Sequence, residues 1–389
     1  MSPPGDGIVA SPTGVPGVRG AAALAAGAEH PCALAGSGRA YCWGANSDGA
    51  LGDGSTSDRR APVGVQVPQG LRDLAAGDRF TCGLAQSGGV LCWGSNDGLV
   101  LGEAPPSSDP DDGGVREVRG VDSVQSLAAG SGFTCAVVQS GEVECWGDNA
   151  SGQLGVASPA QTKKPVTVRG IAEAVEVVAG RAHACARLRS GAVVCWGAND
   201  LGQLGDGSTK GRSVPAPVQG LADAVELVGG SDHNCARRRG GYDQCVGARA
   251  TASSTAASPR QPPPALVQGL SGAAELASGN EHTCARVGAS VLCWGNNFRG
   301  QLGDGAASSG ASTSNPRPLR VVKIDDAKPH RRGPSTCVRR SNGMAACSGA
   351  AAPAGPSAAA PRPTRSPGCR SRTSSASPRS RPAIITPAP

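Results

Sequence analysis

Aromatic side chains and long apolar runs are what this sequence has least of. Only 3% of its 389 residues are Phe, Trp or Tyr, so any core must be built mainly from Ala, Val, Leu and Cys. No run of eighteen apolar residues occurs, and we therefore expect no membrane-spanning helix. The N-terminus has neither a basic start nor an apolar stretch, so the sequence predicts no secretory signal.

Catalytic motifs are also missing. The sequence contains no Gly-x-Ser-x-Gly elbow, no His-Glu-x-x-His pair and no phosphate-binding loop. We therefore predict a protein that is not an enzyme, with no catalytic residue, no metal site and no cofactor.

Acidic residues are absent after Asp326, where Lys328 and ten arginines give the chain its basic balance. The rest of the chain is mildly acidic. We therefore expect no nucleic-acid contact except through the basic end. Residues 350–389, rich in Ala, Pro, Ser and Arg, are typical of a disordered tail.

A repeated phrase dominates the remainder. Cys-Trp-Gly begins at residues 42, 92, 145, 195 and 293, and degenerate copies at 245 and 347 keep the Cys and Gly. The seven copies recur in steps of 48 to 54 residues, a period typical of repeat architectures. We assign residues 1–15 to an N-terminal extension and residues 16–349 to the repeats.

Each copy contains signals for four short strands. A small apolar run ending in Gly is followed by two runs of the type Phe80–Ala85 and Val90–Trp93, and a Pro-containing run suits an outer edge. Four antiparallel strands repeated radially form a propeller blade. The sequence therefore predicts an all-β, seven-bladed propeller of four-stranded antiparallel blades.

The loop after Cys-Trp-Gly reads Asn-x-x-Gly-Gln-Leu-Gly at 149–155 and 199–205. Together with the preceding His and the Ala-Gly strand ending, it resembles the regulator of chromosome condensation repeat, including bacterial alpha-tubulin-suppressor-like members. The resemblance implies a seven-bladed propeller. Activities known in that family include nucleotide exchange on a small GTPase and β-lactamase inhibition, and neither follows from the repeat itself.

Two cysteines accompany every copy, and in six copies they are ten residues apart. A central Gly turn would place them opposite each other on adjacent strands, close enough for a disulfide. This spacing favours disulfides over buried free thiols. The predicted pairs are Cys32 with Cys42, Cys82 with Cys92, Cys135 with Cys145, Cys185 with Cys195, Cys235 with Cys245, Cys284 with Cys293, and Cys337 with Cys347.

Zinc is the competing interpretation, because His30, His183, His233 and His282 each stand two residues before the first cysteine. Phe80 and Phe133 fill the same slot in other copies, which favours a packed interior position. Zinc sites also prefer closer cysteine pairs and need a fourth ligand.

Disulfides persist in oxidising compartments, so the cysteine pairs predict an extracytoplasmic location despite the missing signal. Trp at one fixed position per copy is typical of a structural wedge between blades.

The turns before the His/Phe slot vary between copies and carry charge, and variable loops on a rigid scaffold are common recognition sites. Candidate partner-binding residues are Asp78, Arg79, Arg181, Asp232 and Glu281. We expect a monomeric, non-enzymatic scaffold that binds an unidentified protein. One alternative is a guanine-nucleotide exchange factor using the acidic insert Glu103–Gly114 as a wedge, and another is a carbohydrate- or calcium-dependent surface protein.

The cysteine spacing generates one prediction. Peptide mapping of oxidised, unreduced protein should find each pair within its own copy and Cys369 as the unpaired thiol. Bridges between different copies would contradict the hairpin register.

Overall fold

The computed structural model describes residues 12, 14–102, 114–247, 264–305 and 314–327, and the backbone of strands at 337–339 and 345–347. These residues form strands and no α-helix, so none of them builds a helix long and apolar enough to cross a membrane. The chain divides into two compact units, Met1–Ala354 and Gly355–Pro389. Most of the predicted N-terminal extension and the whole predicted tail lie outside the described residues.

The repeats fold into four-stranded antiparallel meanders, here called blades 1 to 6. Blade 1 contains β1 (Ala21–Ala26), β2 (Pro31–Ala35), β3 (Ala40–Gly44) and β4 (Arg59–Gly64). Blade 2 contains β5 (Leu71–Ala76), β6 (Phe80–Ala85), β7 (Val90–Gly94) and β8 (Arg116–Val118). Blade 3 contains β9 (Val124–Ala129), β10 (Phe133–Val138), β11 (Val143–Asp148) and β12 (Gln161–Thr167).

The second half repeats the pattern. Blade 4 contains β13 (Ala174–Ala179), β14 (His183–Leu188), β15 (Val193–Gly197) and β16 (Arg212–Pro217). Blade 5 contains β17 (Ala224–Gly229), β18 (His233–Arg238), β19 (Asp243–Gly247) and β20 (Ala265–Leu266). Blade 6 contains β21 (Ala273–Ser278), β22 (His282–Val287), β23 (Ser290–Asn296) and β24 (Ser314–Arg320). A hairpin of β25 (Cys337–Arg339) and β26 (Ala345–Cys347) follows.

The prediction of seven blades is wrong, because the described residues form a six-bladed propeller. Among the residues that the structure describes, the seventh copy contributes only the β25–β26 hairpin, whose strand β25 lies next to β1. The reason is local sequence. Every complete blade begins with an apolar strand, whereas the residues before Cys337 are Lys-Pro-His-Arg-Arg-Gly-Pro-Ser-Thr, which cannot supply one.

The central hairpin of each blade sets the cysteine register. In all six blades the two cysteines lie directly opposite each other, including those of the shorter hairpin in blade 6. Each pair is disulfide-bonded, with Cα atoms 4.0 to 4.1 Å apart. The bonded pairs are Cys32 with Cys42, Cys82 with Cys92, Cys135 with Cys145, Cys185 with Cys195, Cys235 with Cys245, and Cys284 with Cys293.

The seventh predicted pair is described only by its backbone. Cys337 opposes Cys347 in the register of β25 and β26. The side chains of that pair and Cys369 lie outside the described residues, so their pairing stays a prediction.

In blades 2, 3 and 4, tryptophan joins the blade to the one before it. Trp146 of blade 3 is fully buried in the apolar cluster of blade 2, and its Nε1 donates to the carbonyl of Val100 at 2.8 Å. Trp93 and Trp196 make the same contact with the carbonyls of Ala50 and Gln153. The indole therefore supplies both apolar area and a hydrogen bond at the blade interface.

Blade 5 replaces this wedge. Val246 stands at the tryptophan position, opposite Asn234, where blades 2 and 3 have Thr opposite Trp. The Asn234 side chain donates to the Gln203 carbonyl at 2.9 Å, taking over the indole's hydrogen bond. Asn234, which is larger than the Thr of blades 2 and 3, thus compensates for Val246, which is smaller than their Trp.

This exchange predicts a coupled stability effect. Trp146→Val should lower the free energy of unfolding by about 3 kcal/mol, because it removes a buried ring and orphans the Val100 carbonyl. Adding Thr134→Asn should recover part of that loss, since it recreates the blade 5 pair. Urea unfolding of both single variants and the double variant measures the coupling. As a control, Trp43→Val should cost less, because Trp43 is partly exposed. Strictly additive effects at 134 and 146 would contradict the compensation.

Candidate protein-binding face

One end of the propeller carries all the variable loops. In each antiparallel blade, the turn between the first and second strands and the loop between the third and fourth strands emerge at the same end. We call this end the loop face and the opposite end the turn face. Backbone bonds join the two loop elements, as in Ala198 N to Ala182 O and Asp148 N to Gly132 O, both 2.8 Å. The loop face is therefore a connected surface.

Neighbouring blades are also tied together on this face. The amide of Arg181 donates to the carbonyl of Ser231 at 2.8 Å, and the amide of Ser231 donates to the carbonyl of Asn280 at 2.9 Å. These bonds run around the mouth of a narrow central channel of about 70 Å³, lined mainly by Ala, Gly and Ser. The loop face is held rigidly by its own backbone.

The structure places the five predicted loop residues near this mouth, with different contacts. Asp78 and Arg181 line the mouth, and Arg181 pairs with Asp232 of the next blade at 3.0 Å. Arg79 bridges two carboxylates that sequence reasoning missed, Asp48 of blade 1 and Asp97 of its own blade. Glu281 accepts a hydrogen bond from Asn296. The arginines therefore tie blade to blade, a role that only spatial neighbours reveal.

The loop face is acidic, whereas the turn face is balanced. Carboxylates outnumber cations in the described loops of the loop face. The carboxylates are Glu29, Asp48, Asp53, Asp58, Asp78, Asp97, Asp200, Asp206, Asp232, Glu281 and Asp304. The cations are Arg79, Arg181, Lys210 and Arg299. The turn face mixes both signs, with Asp122, Glu142, Glu173, Asp223, Asp325 and Asp326 beside Arg19, Arg39, Arg119, Arg169, Arg189, Arg239 and Lys323. The mild acidity of the body therefore belongs to one face.

A buried asparagine organises the long loops of blades 1, 3, 4 and 6. The Asn199 Oδ1 atom accepts the amide of Leu204 at 3.0 Å, and its Nδ2 donates to backbone carbonyls at Ser208 and Lys210. Asn46, Asn149 and Asn297 make the equivalent Leu contact. The Asn-x-x-Gly-x-Leu-Gly phrase thus encodes a loop that satisfies its own polar groups.

The aspartates of these loops are already engaged. Asp206 accepts hydrogen bonds from Ser208 and pairs with Arg212. Burial opposes its ionisation, but these partners outweigh burial and hold the pKa of Asp206 below its ordinary value. Asp53 repeats the arrangement with Ser55 and Arg59. These contacts assign the aspartates to loop structure.

The histidine slot forms a buried layer between blades. His30 Nε2 lies 2.8 Å from Thr81 Oγ1 of the next blade, and His233 Nε2 lies 2.9 Å from Thr283 Oγ1. His183 Nε2 accepts from Asn234 at 2.8 Å. Each ring also sits on a glycine: a Cβ at Gly180 would be 2.1 Å from the His183 ring and 2.5 Å from the carbonyl of Gly230. The glycine of the Ala-Gly strand ending leaves the space that this ring occupies.

Burial sets the charge state of these histidines. It lowers the pKa of His30, His183 and His282 to about 4 and that of His233 to about 3. They are therefore neutral at physiological pH, and His30, His183 and His233 act as hydrogen-bonding wedges. Among the described residues, no group of three or more His, Cys, Asp or Glu side chains could hold a metal ion.

Ser278 and His233 form a nucleophile–base contact, with the Oγ and Nε2 atoms 2.9 Å apart beside the channel. A general base works best with a pKa near the working pH. The pKa of His233, about 3 because of burial and the neighbouring His282 and His183, makes it a weak base. Thr283 shares the same histidine nitrogen, so this contact extends the structural layer.

The histidine layer predicts acid sensitivity. A histidine that stays neutral when folded is protonated below pH 6.5 when unfolded, so the free energy of unfolding falls as the pH drops from about 6.5 to about 4. For His183 this loss is roughly 3 kcal/mol. His183→Phe with Asn234→Thr and Val246→Trp, the set that Phe80, Thr134 and Trp146 already form, should fold and lose less stability over that window. Urea unfolding at pH 7 and 4.5 measures this difference.

Unchanged acid sensitivity of the triple variant would contradict the assignment. A variant that unfolds at pH 7, together with stabilisation of the natural chain by added zinc, would point to a metal site instead.

Comparisons with known proteins agree with this architecture. The model of the RCC1-like domain matches residues 6–332. Human WBSCR16 superposes with a TM-score of 0.69 at 20% identity, covering 78% of this chain and 82% of that chain. Yeast RCC1 (Prp20), in a structure with Kap60, superposes with a TM-score of 0.67 at 20% identity, covering 83% and 78%. A search of curated protein sequences found no match.

These likenesses in three dimensions show a shared fold, and the family model adds the sequence pattern. Its match covers most of the chain and ends at residue 332, just after the sixth blade. The resemblance predicted from the Asn-x-x-Gly-Gln-Leu-Gly loops is thereby confirmed. This chain belongs to the family of RCC1-like domains.

Proposed function

We propose that this chain is a monomeric, non-enzymatic propeller scaffold that binds a protein partner through its loop face, outside the cytoplasm. The charge difference between the two faces carries the proposal. A rigid surface with excess carboxylates favours a partner of opposite charge and speeds its encounter. The rigidity lowers the entropic cost of binding, because the described part of these loops is held by backbone hydrogen bonds.

Two further observations support the proposal. The solved structures of yeast Prp20p concern its binding to Kap60, Gsp1p and histones, so a similar fold carries protein partners there. The six disulfides suit an oxidising compartment. The alternatives have less support. The insert required by the exchange-factor hypothesis lies almost entirely outside the described residues. Asp53 and Asp206, carboxylates of the long loops that could otherwise bind calcium, are engaged with Ser and Arg.

Matched charge variants test the proposal. Glu29→Gln, Asp78→Asn and Asp200→Asn together neutralise exposed carboxylates of the loop face, and Asp122→Asn, Glu142→Gln and Glu173→Gln do the same on the turn face. We expect the loop-face variant to capture its partner about tenfold less well, because each exposed charge contributes up to about 1 kcal/mol. The measurement is quantitative cross-linking and mass spectrometry with the envelope fraction of the source organism.

The natural chain and the turn-face variant should capture the same partner, and raised salt should weaken capture. Equal capture by both variants would rule out the loop face as the binding surface.

A further inference from the structure

A row of three charged side chains crosses blade 5 close to its turn face. Glu226 on β17 lies opposite Arg237 on β18, and Arg237 lies opposite Asp243 on β19. Opposed residues of adjacent antiparallel strands share one side of the sheet, so all three side chains lie on the same side of blade 5. Arg237 donates to Glu226, with Nε and Oε2 2.7 Å apart. The row therefore places two carboxylates beside one guanidinium.

This side of blade 5 is buried against blade 6. Cys245 follows Asp243 by two residues and so lies on the same side of β19, where it packs in one apolar cluster with Ala273, Leu276 and Ala285 of blade 6. Asp243 is only 1% exposed, and neither of its carboxylate oxygens receives a hydrogen bond from the described residues. A buried charge without a donor is unfavourable, so this contact between blades favours the neutral, protonated form of Asp243.

The repeat does not require a carboxylate at this position. The residues that correspond to Asp243 in the other five blades are Ala40, Val90, Val143, Val193 and Val291. Blades 4 and 6 have the same ion pair within the blade, Glu176 with Arg187 and Glu275 with Arg286, and each places a valine beside it. Among the described blades, blade 5 alone therefore adds a second carboxylate to the pair.

The neighbouring elements leave the charge of Asp243 uncompensated. Burial raises the pKa of Asp243 to about 6, Arg237 opposes this rise, and Glu226 adds to it. The described residues of blade 6 that meet this side are apolar, and β20 carries no charge. Glu275 of blade 6 occupies the position of Glu226, so it lies on the side of its own blade that is turned away from Asp243. The row therefore gains or loses a proton around pH 6.

We propose that the row of Glu226, Arg237 and Asp243 is a proton-dependent joint between blades 5 and 6. With a proton on Asp243 the row is neutral, and the two blades pack together. When Asp243 releases this proton to water, the row carries one net negative charge inside an apolar contact. Water then enters to solvate the charge, and the turn-face end of blade 5 opens locally. The joint goes beyond the proposed function, since it controls a contact between two blades and needs no partner.

Amide hydrogen exchange followed by NMR tests the proposal at one matched pair of amides. The amide of Val267 donates to the carbonyl of Asp243 at 3.0 Å, and in blade 4 the amide of Val218 donates to the carbonyl of Val193 at 2.9 Å. Asp243 is a weaker acid in the closed joint than in the open one, so closure is favoured at low pH and is lost as the pH rises through about 6. After correction for intrinsic exchange rates, we expect the protection of the Val267 amide to fall about twentyfold relative to that of Val218 between pH 4.5 and 7.5.

Matched variants identify the group that titrates. Asp243→Val gives blade 5 the row of blade 4, Asp243→Asn keeps the size of the side chain without its charge, and both should remove the fall in protection. Glu226→Gln leaves Arg237 to pair with Asp243 and should remove most of the fall. Val193→Asp recreates the row in blade 4 beside an existing Glu–Arg pair and should produce the same fall at the Val218 amide.

Equal relative protection of the Val267 amide at the two pH values in the natural chain would overturn the proposal, and so would a fall that persists in both Asp243 variants. A carboxyl-carbon NMR titration of Asp243 gives an independent measurement, with an expected midpoint near pH 6. A midpoint near about 4, the ordinary value for an aspartate, would also overturn it. Because these measurements use the chain alone, their outcome is independent of partner capture by the loop face.

Discussion

The contact between consecutive blades is the interaction on which the rest of this structure depends. A four-stranded sheet with few aromatic residues cannot bury its own apolar face, so each blade is completed by the one that follows it. Trp93, Trp146 and Trp196 show how this works, because each ring enters the preceding blade's core and its N–H satisfies a loop carbonyl there. The ring buries apolar surface and its N–H satisfies a carbonyl at the same contact, and this fixes both the spacing and the rotation between blades.

The inner wall of the propeller follows from the same requirement. First strands meet around a narrow channel, where only Ala, Gly and Ser leave room for the neighbouring backbone. In blades 1 to 5, the glycine that follows the first strand has a His or Phe ring above it and a carbonyl of the next blade beside it. His30, His183 and His233 add hydrogen bonds between blades while remaining uncharged. The hairpin disulfides stabilise the individual blade and not the contact between blades, since each one joins the two middle strands of a single blade.

Function is more naturally sought where the repeat is broken or unconstrained. The long loops satisfy their backbone through buried Asn and Leu contacts, and this frees their outer positions to vary. Carboxylates outnumber cations in the described part of these loops, and this excess is confined to the loop face. Blade 5 is a different kind of departure: it loses its tryptophan, gains Asn234 as a replacement hydrogen-bond donor and exposes Tyr242 and Leu266. A purely structural degeneration would not require new apolar residues on the surface.

The sequence by itself determined the repeat unit, its strands, the family and the cysteine pairing of the first six copies. These features depend on local spacing: a ten-residue separation around a Gly turn brings Cys135 opposite Cys145 whatever surrounds the hairpin. The number of blades, in contrast, could not be predicted from local spacing. A copy counts as a blade only if its first and fourth strands form, and the copy with Cys337 and Cys347 has the hairpin without them among the described residues, so counting cysteine motifs overestimated the ring.

Only the tertiary structure decided the rest, because it concerns residues about fifty positions apart. Arg181 could be recognised as a variable charged residue, but its partner Asp232 lies on the next blade. His183 could be recognised as a packed position, but its acceptor role depends on Asn234. Side-chain periodicity specifies which face of a strand is buried, whereas the packing of neighbouring blades specifies what each buried or exposed group meets.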